Sequence, residues 1–242
     1  MSLQFLKFNE LHDNDINFDF HIHTNQTDGH DSIESIIERA IDVGLDKIAF
    51  TEHVRKDTEW FDKFADSIKE VASRYSGIEV LVGVETKAVD KFGNLDISDQ
   101  IFYRSEIILG SVHRLPDEKE GFLDFSTLSP TKLAEIEFEL SVGMLQKSSI
   151  NVLSHPGGMY SSRYGGFPIK YFRELMKLSK ANNIAIELNS KYIKNAYDFL
   201  SACGDINPLI SIGSDAHKKE NVGDCTKLLS LFKFEEFQKG SV

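Results

Sequence analysis

Six of the eight histidines in this 242-residue chain stand where short apolar runs end. The runs cover 18–23, 48–53, 107–113, 152–155 and 210–217, and a sixth, 80–85, ends on Glu85 instead. His21 and His23 are two residues apart, so on a strand both imidazoles project from one side and can chelate one ion. Asp215 and His217 repeat that spacing. A lone buried carboxylate at Glu85 would be costly, but its two oxygens let it bridge two ions. Imidazole and carboxylate donors gathered at strand ends point to metal-assisted hydrolysis.

Taken singly, each signal has an ordinary explanation. A His-x-His pair occurs on surfaces and in satisfied cores, Asp28-Gly29 is turn chemistry, and His155 opens the turn-forming Pro156-Gly157-Gly158. The placement of six histidines at strand ends is harder to assign to chance. His12 and His30 lack it, although His30, beside Asp28-Gly29, is an alternative ligand to Asp28.

The positioning elements follow from hydrophobic period. Strands are predicted near 18–23, 47–51, 79–85, 107–112, 151–154, 184–189 and 209–213, and helices near 31–43, 59–75, 130–147, 168–181, 192–203 and 221–233. Asp31-Ser32-Ile33-Glu34 resembles a capping box, Ser129-Pro130 opens a helix, and Gly44 and Gly77 mark stops. Strand and helix alternate with a period of roughly 30 residues, as in βα units, which leaves either a barrel one unit short of eight or an open doubly wound sheet. Strict alternation puts Asp19, His21 and His23 on one face and Phe18, Phe20 and Ile22 on the other, so Asp19 is expected to hold an imidazole tautomer. By the same parity His53, Glu85, His113, Glu187, Asn189 and Asp215 face inward, near the carboxyl ends of the strands, where α/β barrels place their chemistry. Glu52 should face the other way or sit in the loop, and is read either as a support behind the ligands or as structural.

Composition narrows the class. With 41% apolar and 27% charged residues the chain reads as one soluble α/β domain over 1–242. No apolar run approaches the roughly 18 residues of a membrane span, and residues 1–7 are too short and interrupted for a signal peptide. Cys203 and Cys225 lack metal-binding spacing and are expected to be free packing thiols in a cytoplasmic protein. A net charge of −11 disfavours nucleic acid as a partner, while bound cations can still reverse the field around a small anionic substrate. Nothing in the sequence speaks to oligomeric state.

The motifs, in order, resemble the PHP (polymerase and histidinol phosphatase) domain family. They are Asp19-x-His21-x-His23 with Thr27-Asp28-Gly29, Thr51-Glu52-His53, Gly83-x-Glu85, Gly110-Ser111-Val112-His113, Ser154-His155-Pro156, Glu187-x-Asn189 and Gly213-Ser214-Asp215-Ala216-His217. The resemblance implies a distorted, TIM-like (β/α)7 barrel holding two or three divalent ions, usually zinc, manganese or iron, at the C-terminal ends of the strands. By that resemblance His21, His23, Glu85 and Asp215 hold the first ion. Glu85 bridges to a second held by His113 and His155. His53 and His217 hold a third, completed by Asp28 or His30, since Gly29 stands where some relatives place a histidine.

The expected reaction is hydrolysis of a small phosphomonoester by metal-bridging hydroxide without a covalent enzyme intermediate, because no serine or cysteine has an activating partner. Asp215 or His217 would protonate the leaving group. Arg163, in the 157–166 loop, is the first candidate to bind phosphate and to act as a lid residue, with Arg114, Asn189 and Lys191 as further substrate contacts. The alternatives are a phosphodiesterase or exonuclease, as in polymerase-linked PHP modules, and a noncatalytic metal-binding module. The acidity of the chain and its lack of room for a polymerase count against the first, and the intact ligand set against the second.

Overall fold

Every strand of the sheet pairs in parallel with the next one in sequence, which is the signature of repeated right-handed βα crossovers. The computed structural model describes residues 3–117 and 121–239. In chain order β1 (Phe18–Ile22), α1 (Ile33–Asp42), β2 (Lys47–His53), α2 (Phe61–Ala72) and β3 (Glu79–Lys87) come first. Then follow α3 (Asp99–Arg104), β4 (Ile107–Ser111), α4 (Pro130–Lys147), β5 (Val152–Leu153) and α5 (Gly158–Tyr164). Next come α6 (Ile169–Ala181), β6 (Ala185–Asn189), α7 (Ala196–Ile206), β7 (Ile210–Gly213) and α8 (Asp224–Leu231). The seven strands run β1 to β7 in spatial order and form a nearly closed barrel, the distorted (β/α)7 architecture expected from the motifs. Its ends meet where Ile22 bridges Ala216: His23 N donates to Ala216 O at 2.9 Å and Ala216 N to His21 O at 3.2 Å.

Two apolar layers flank the strands. Ile48, Phe50, Val82 and Val84 pack outward under helical residues such as Ile36, Ile37, Phe64 and Ile68. Inside, Phe20, Ala49, Leu81, Ile107, Leu109, Val152 and Ala185 form a separate floor drawn from six successive strands. Above that floor the inward positions turn polar, so the strands carry their reactive side chains away from a solid base.

Alternation fails in β1. Between Asp19 and Ile22 the register with β2 slips, three steps on β1 against two on β2, which is a β-bulge. Phe20 therefore joins the interior floor, although strict alternation puts it outside. Asp19 pairs instead with the outward Ile48. Its carboxylate accepts from Ser214 N at 3.0 Å, from Ser214 Oγ at 2.5 Å and from Gly223 N, just before α8, at 3.0 Å. The expectation that Asp19 holds an imidazole is thus incorrect; it ties β1 to β7 and α8.

Other departures are local. The 157–166 segment, read as a loop, contains α5, and α3 was not anticipated; both are short. The cap of α1 is Ser32, whose Oγ accepts from Ser35 N, so Asp31 and Glu34 do not form the expected box. Helix α7 begins at Ala196 because Asn195 caps it through Asp198 N. Ser129 caps α4 and Pro130 occupies its first turn, as expected.

Candidate metal centre

Glu85 stands in register with His53 on the neighbouring strand, at the C-terminal end of β3 and at the middle of a ring of imidazoles. Its Oε2 lies 3.3 Å from His21 Nε2, 3.6 Å from His23 Nε2 and 3.0 Å from His53 Nδ1. Its Oε1 lies 3.1 Å from His113 Nε2 and 2.7 Å from His155 Nε2. Each oxygen thus faces its own histidine set. Asp215 Oδ1 joins the first set, 3.7 Å from His21 Nε2 and 3.3 Å from His23 Nε2.

A third gathering forms at the rim. Asp28 Oδ2 is 3.2 Å from both His53 Nε2 and His217 Nε2, and Asp28 Oδ1 is 3.8 Å from His23 Nδ1. The turn that carries Asp28 is fastened by Glu52, whose carboxylate accepts from Thr24 N at 2.6 Å and from Thr27 Oγ1. Glu52 thus fastens the loop, and its Oε2 also lies 4.0 Å from His23 Nδ1, so it backs the cluster from behind. His30 contributes its backbone N–H to His217 O at 2.8 Å, and no contact of its imidazole with the cluster is seen among the described residues.

Glu187 supplies a part that the sequence reading left unassigned. Its Oε1 lies 2.8 Å from His21 Nδ1, and its Oε2 accepts from His155 N at 2.5 Å. The pair fits because position 213 is glycine: a Cβ there would stand 2.0 Å from Glu187 Oε1 and 2.6 Å from His21 Cβ. Inward parity on β6 was the available signal for Glu187; nothing local marked its partner.

Among the described residues, several buried polar atoms have no hydrogen-bond partner: both ring nitrogens of His23, His21 Nε2 and Glu85 Oε2. Polar atoms left so within a protein are rare, and here they converge on one another. Two donors each about 2.1 Å from one ion at a tetrahedral angle stand roughly 3.4 Å apart, close to the separations above. The residues therefore fit divalent ions, and imidazole with carboxylate suits zinc, manganese or iron. Two of these residues sit on unusual backbone, His155 at φ 25° and Asp215 at φ 50°. Such strain collects at functional sites.

The sequence profile of the PHP domain matches residues 19–191, well over half of the chain. The chain belongs to the PHP domain family. A "probable phosphatase" of Thermoanaerobacter sp. (strain X514) is 24% identical over 229 residues, covering 89% of this chain and 84% of that one. The DNA polymerase/3'-5' exonuclease PolX of Bacillus subtilis (strain 168) is 23% identical over 215 residues, 85% of this chain but 35% of the longer protein. Among solved structures, histidinol phosphate phosphatase of Lactococcus lactis subsp. lactis Il1403, complexed with zinc, L-histidinol and phosphate, superposes with a TM-score of 0.67. It is 16% identical, with 87% of this chain and 92% of that chain covered. A Listeria monocytogenes protein provisionally named a histidinol phosphatase gives a TM-score of 0.70 at 14% identity, covering 89% of this chain and 99% of that one. Both structures share the PHP barrel fold.

In this PHP site the charges reinforce one another. Burial opposes ionisation of Glu85, yet His113, His21 and His155 outweigh it and hold the carboxyl well below its usual range. Burial likewise opposes charge on His21, but Glu187 and Glu85 push its pKa well above the ordinary value. His23 moves the other way, to about 4, through burial and the neighbouring His21 and His53. Burial also works against an ionised Asp215; His23, His21 and His155 overcome it and keep the group a carboxylate.

The candidate substrate contacts separate. Lys191 Nζ is 2.6 Å from Asp215 Oδ2, and Tyr192 OH, unassigned from sequence, donates to the same oxygen at 3.0 Å. Buried Asn189 accepts from Lys191 N at 3.0 Å and so shapes the turn behind it, leaving its Nδ2 without a partner among the described residues. Arg114 lines a cavity together with His53, Glu85 and His113. Arg163 is exposed on α5, donates to Ser126 O at 2.8 Å and lies over the rings of Phe125 and Tyr164. None of these contacts brings it to the histidines.

Proposed function

We propose that this PHP protein is a metal-dependent phosphomonoesterase acting on a small phosphorylated molecule, with the reaction class of histidinol phosphatase. The observation that carries the reading is the division of the two Glu85 oxygens between two histidine sets. Divalent ions held there would lower the pKa of a water enough to make it a nucleophile at neutral pH, and would neutralise charge developing on the phosphoryl oxygens. The chain's own residues do the positioning. Glu85 fixes the spacing of the two sets, Glu187 orients His21, and Asp28 gathers His53 and His217. Lys191 stands half-exposed at the rim, where its ammonium can move from Asp215 to a phosphoryl oxygen; it takes the role first sought in Arg163.

His217 Nδ1 lies 3.0 Å from Asp215 O, and a carbonyl only accepts, so the proton sits on Nδ1. Nε2 then offers a lone pair toward Asp28, which suits a ligand better than an acid. Asp215, held as a carboxylate, has no proton of its own to give the leaving alkoxide; the protons at its outer oxygen are carried by the Lys191 ammonium and the Tyr192 hydroxyl. Both cysteines are buried, and burial pushes their thiols well above the usual range, which supports hydrolysis without a covalent intermediate.

The test is protein purified without chelator, assayed for metal content and for phosphate release from histidinol phosphate, sugar phosphates, nucleotides and short oligonucleotides. At least two metal equivalents and turnover of a monoester are expected, and Glu85→Gln should abolish turnover while the protein stays folded. The similarity to PolX makes oligonucleotide cleavage the competing outcome. Cleavage of oligonucleotides with no monoester turnover would replace this reading, and absence of both metal and turnover would leave a noncatalytic module.

A further inference from the structure

Beside the histidine cluster the barrel rim carries an unexpected concentration of positive charge. A cavity of about 190 Å³ has His53, Glu85 and His113 on its wall together with Arg55, Lys87 and Arg114. The same three cations line an adjoining cavity of about 520 Å³, which adds Lys56 and Phe122 as well as Asp57 and Asp96. Each cation follows a cluster residue along the chain: Arg55 lies two residues after His53, Lys87 two after Glu85, and Arg114 one after His113. The strand ends that deliver the histidines therefore also deliver this basic wall.

Only part of that charge is neutralised within the protein. Lys87 pairs with Asp96, which also accepts from Lys56 N at 3.0 Å. Arg55 and Arg114 are exposed and form no ion pair among the described residues. The Arg114 guanidinium lies 5.1 Å from the Phe122 ring centroid, a contact that orients the group while leaving its N–H edges for other partners. Guanidinium groups present paired N–H donors that match phosphate and carboxylate geometry. On a chain of net charge −11, two such groups converging beside the cluster set a local field of the opposite sign.

We infer that this basic annex receives a second anionic group on the substrate. The substrate class is then a phosphomonoester bearing a further phosphate or carboxylate, with the scissile phosphate at the histidines and the second anion on Arg55, Lys87 and Arg114. A substrate with a cationic arm, as amino alcohol phosphates have, meets repulsion there. This inference rests on the phosphomonoesterase reading.

The test uses the metal-loaded protein and calorimetric titration with non-hydrolysable alkyl phosphonates of two to six carbons. Each chain length is compared as the plain phosphonate, the α,ω-bisphosphonate, the phosphonocarboxylate and the aminophosphonate. At one or more lengths the second anion should tighten binding at least tenfold over the plain compound, and the amine should weaken it. The bisphosphonate and carboxylate arms tell which anion the annex prefers. In Arg55→Gln and Arg114→Gln proteins the ratio of dianion to plain affinity should fall toward one. Binding of plain phosphonates with no gain from a second anion at any length overturns the inference alone, as does a gain that survives both substitutions. Failure of every phosphonate to bind overturns the phosphomonoesterase reading, and the inference with it.

Discussion

Glu187 Oε1 lies 2.8 Å from Nδ1 of His21, and that contact decides which His21 nitrogen is available to an ion. A carboxylate oxygen accepts from Nδ1, so Nδ1 keeps its proton and Nε2, on the side of Glu85 and Asp215, is the nitrogen that would give up its proton to bind an ion. The other oxygen of Glu187 holds the backbone of His155, so one residue on β6 sets histidines from β1 and from the segment after β5.

Glu187→Gln should consequently weaken metal binding by roughly 10- to 100-fold, as loss of such outer partners does. Competition against a chelating dye measures it. Gly213→Ala, which would drive a methyl into the same carboxylate, should do at least as much damage. Unchanged metal affinity in both proteins would show that the His21–Glu187 contact is incidental.

Asp28 and His30 can be separated directly. Asp28→Asn should lower the metal content by about one equivalent, since Asp28 Oδ2 is the oxygen shared by His53 and His217. His30→Ala should keep the full complement, because it retains the backbone N–H that His217 uses. Elemental analysis after desalting reads both, and the reverse pattern would move the third site onto His30.

Removal of the Lys191 ammonium tests phosphate recognition. Lys191→Met should cut kcat/KM by roughly 10- to 100-fold, the scale of a lost charge-assisted hydrogen bond, with metal content intact and partial recovery in Lys191→Arg. If metal is lost along with activity, the lysine serves Asp215 and not the substrate.

Glu137, behind His155 and outside the candidate ligand set, offers a further pH signature. It is buried on α4 and accepts from Met159 N at 3.0 Å and Tyr160 N at 2.9 Å, capping α5. Burial, only partly offset by those two donors and by His155, pushes its carboxyl up to about 7 from 4.5. An acid with a raised folded pKa binds more protons folded than unfolded, so its contribution is full below the unfolded value and is lost as pH rises through the folded one. The thermal midpoint of the native chain relative to Glu137→Gln should fall as pH is raised from 4.5 to 7 and level off above that range. A difference that grows with pH would reverse the assignment.

Much of the site was legible because inward parity held wherever strands were regular. His53, Glu85, Glu187 and Asp215 fall on the interior side that alternation predicts. It failed for Asp19 and Phe20 because the β1 bulge inserts a residue without glycine or proline to announce it. The segment around Arg163 read as a loop because its flanking glycines signal turns more strongly than its seven helical residues signal a helix. Of the annex only Arg114 was named from sequence, because Arg55, Lys87 and Arg114 come from three different strand ends and meet only through the sheet register.

The barrel closes on the same residues that would bind its ions. Its first and last strands are joined at Ile22 and Ala216, between His21 and His23 on one side and Asp215 and His217 on the other. The ring thus has a seam, and its stitches lie among four of the ion-binding candidates. Loading the centre would act as a clasp on that seam, so that the shape of the whole barrel and the occupancy of a few donor atoms become one property.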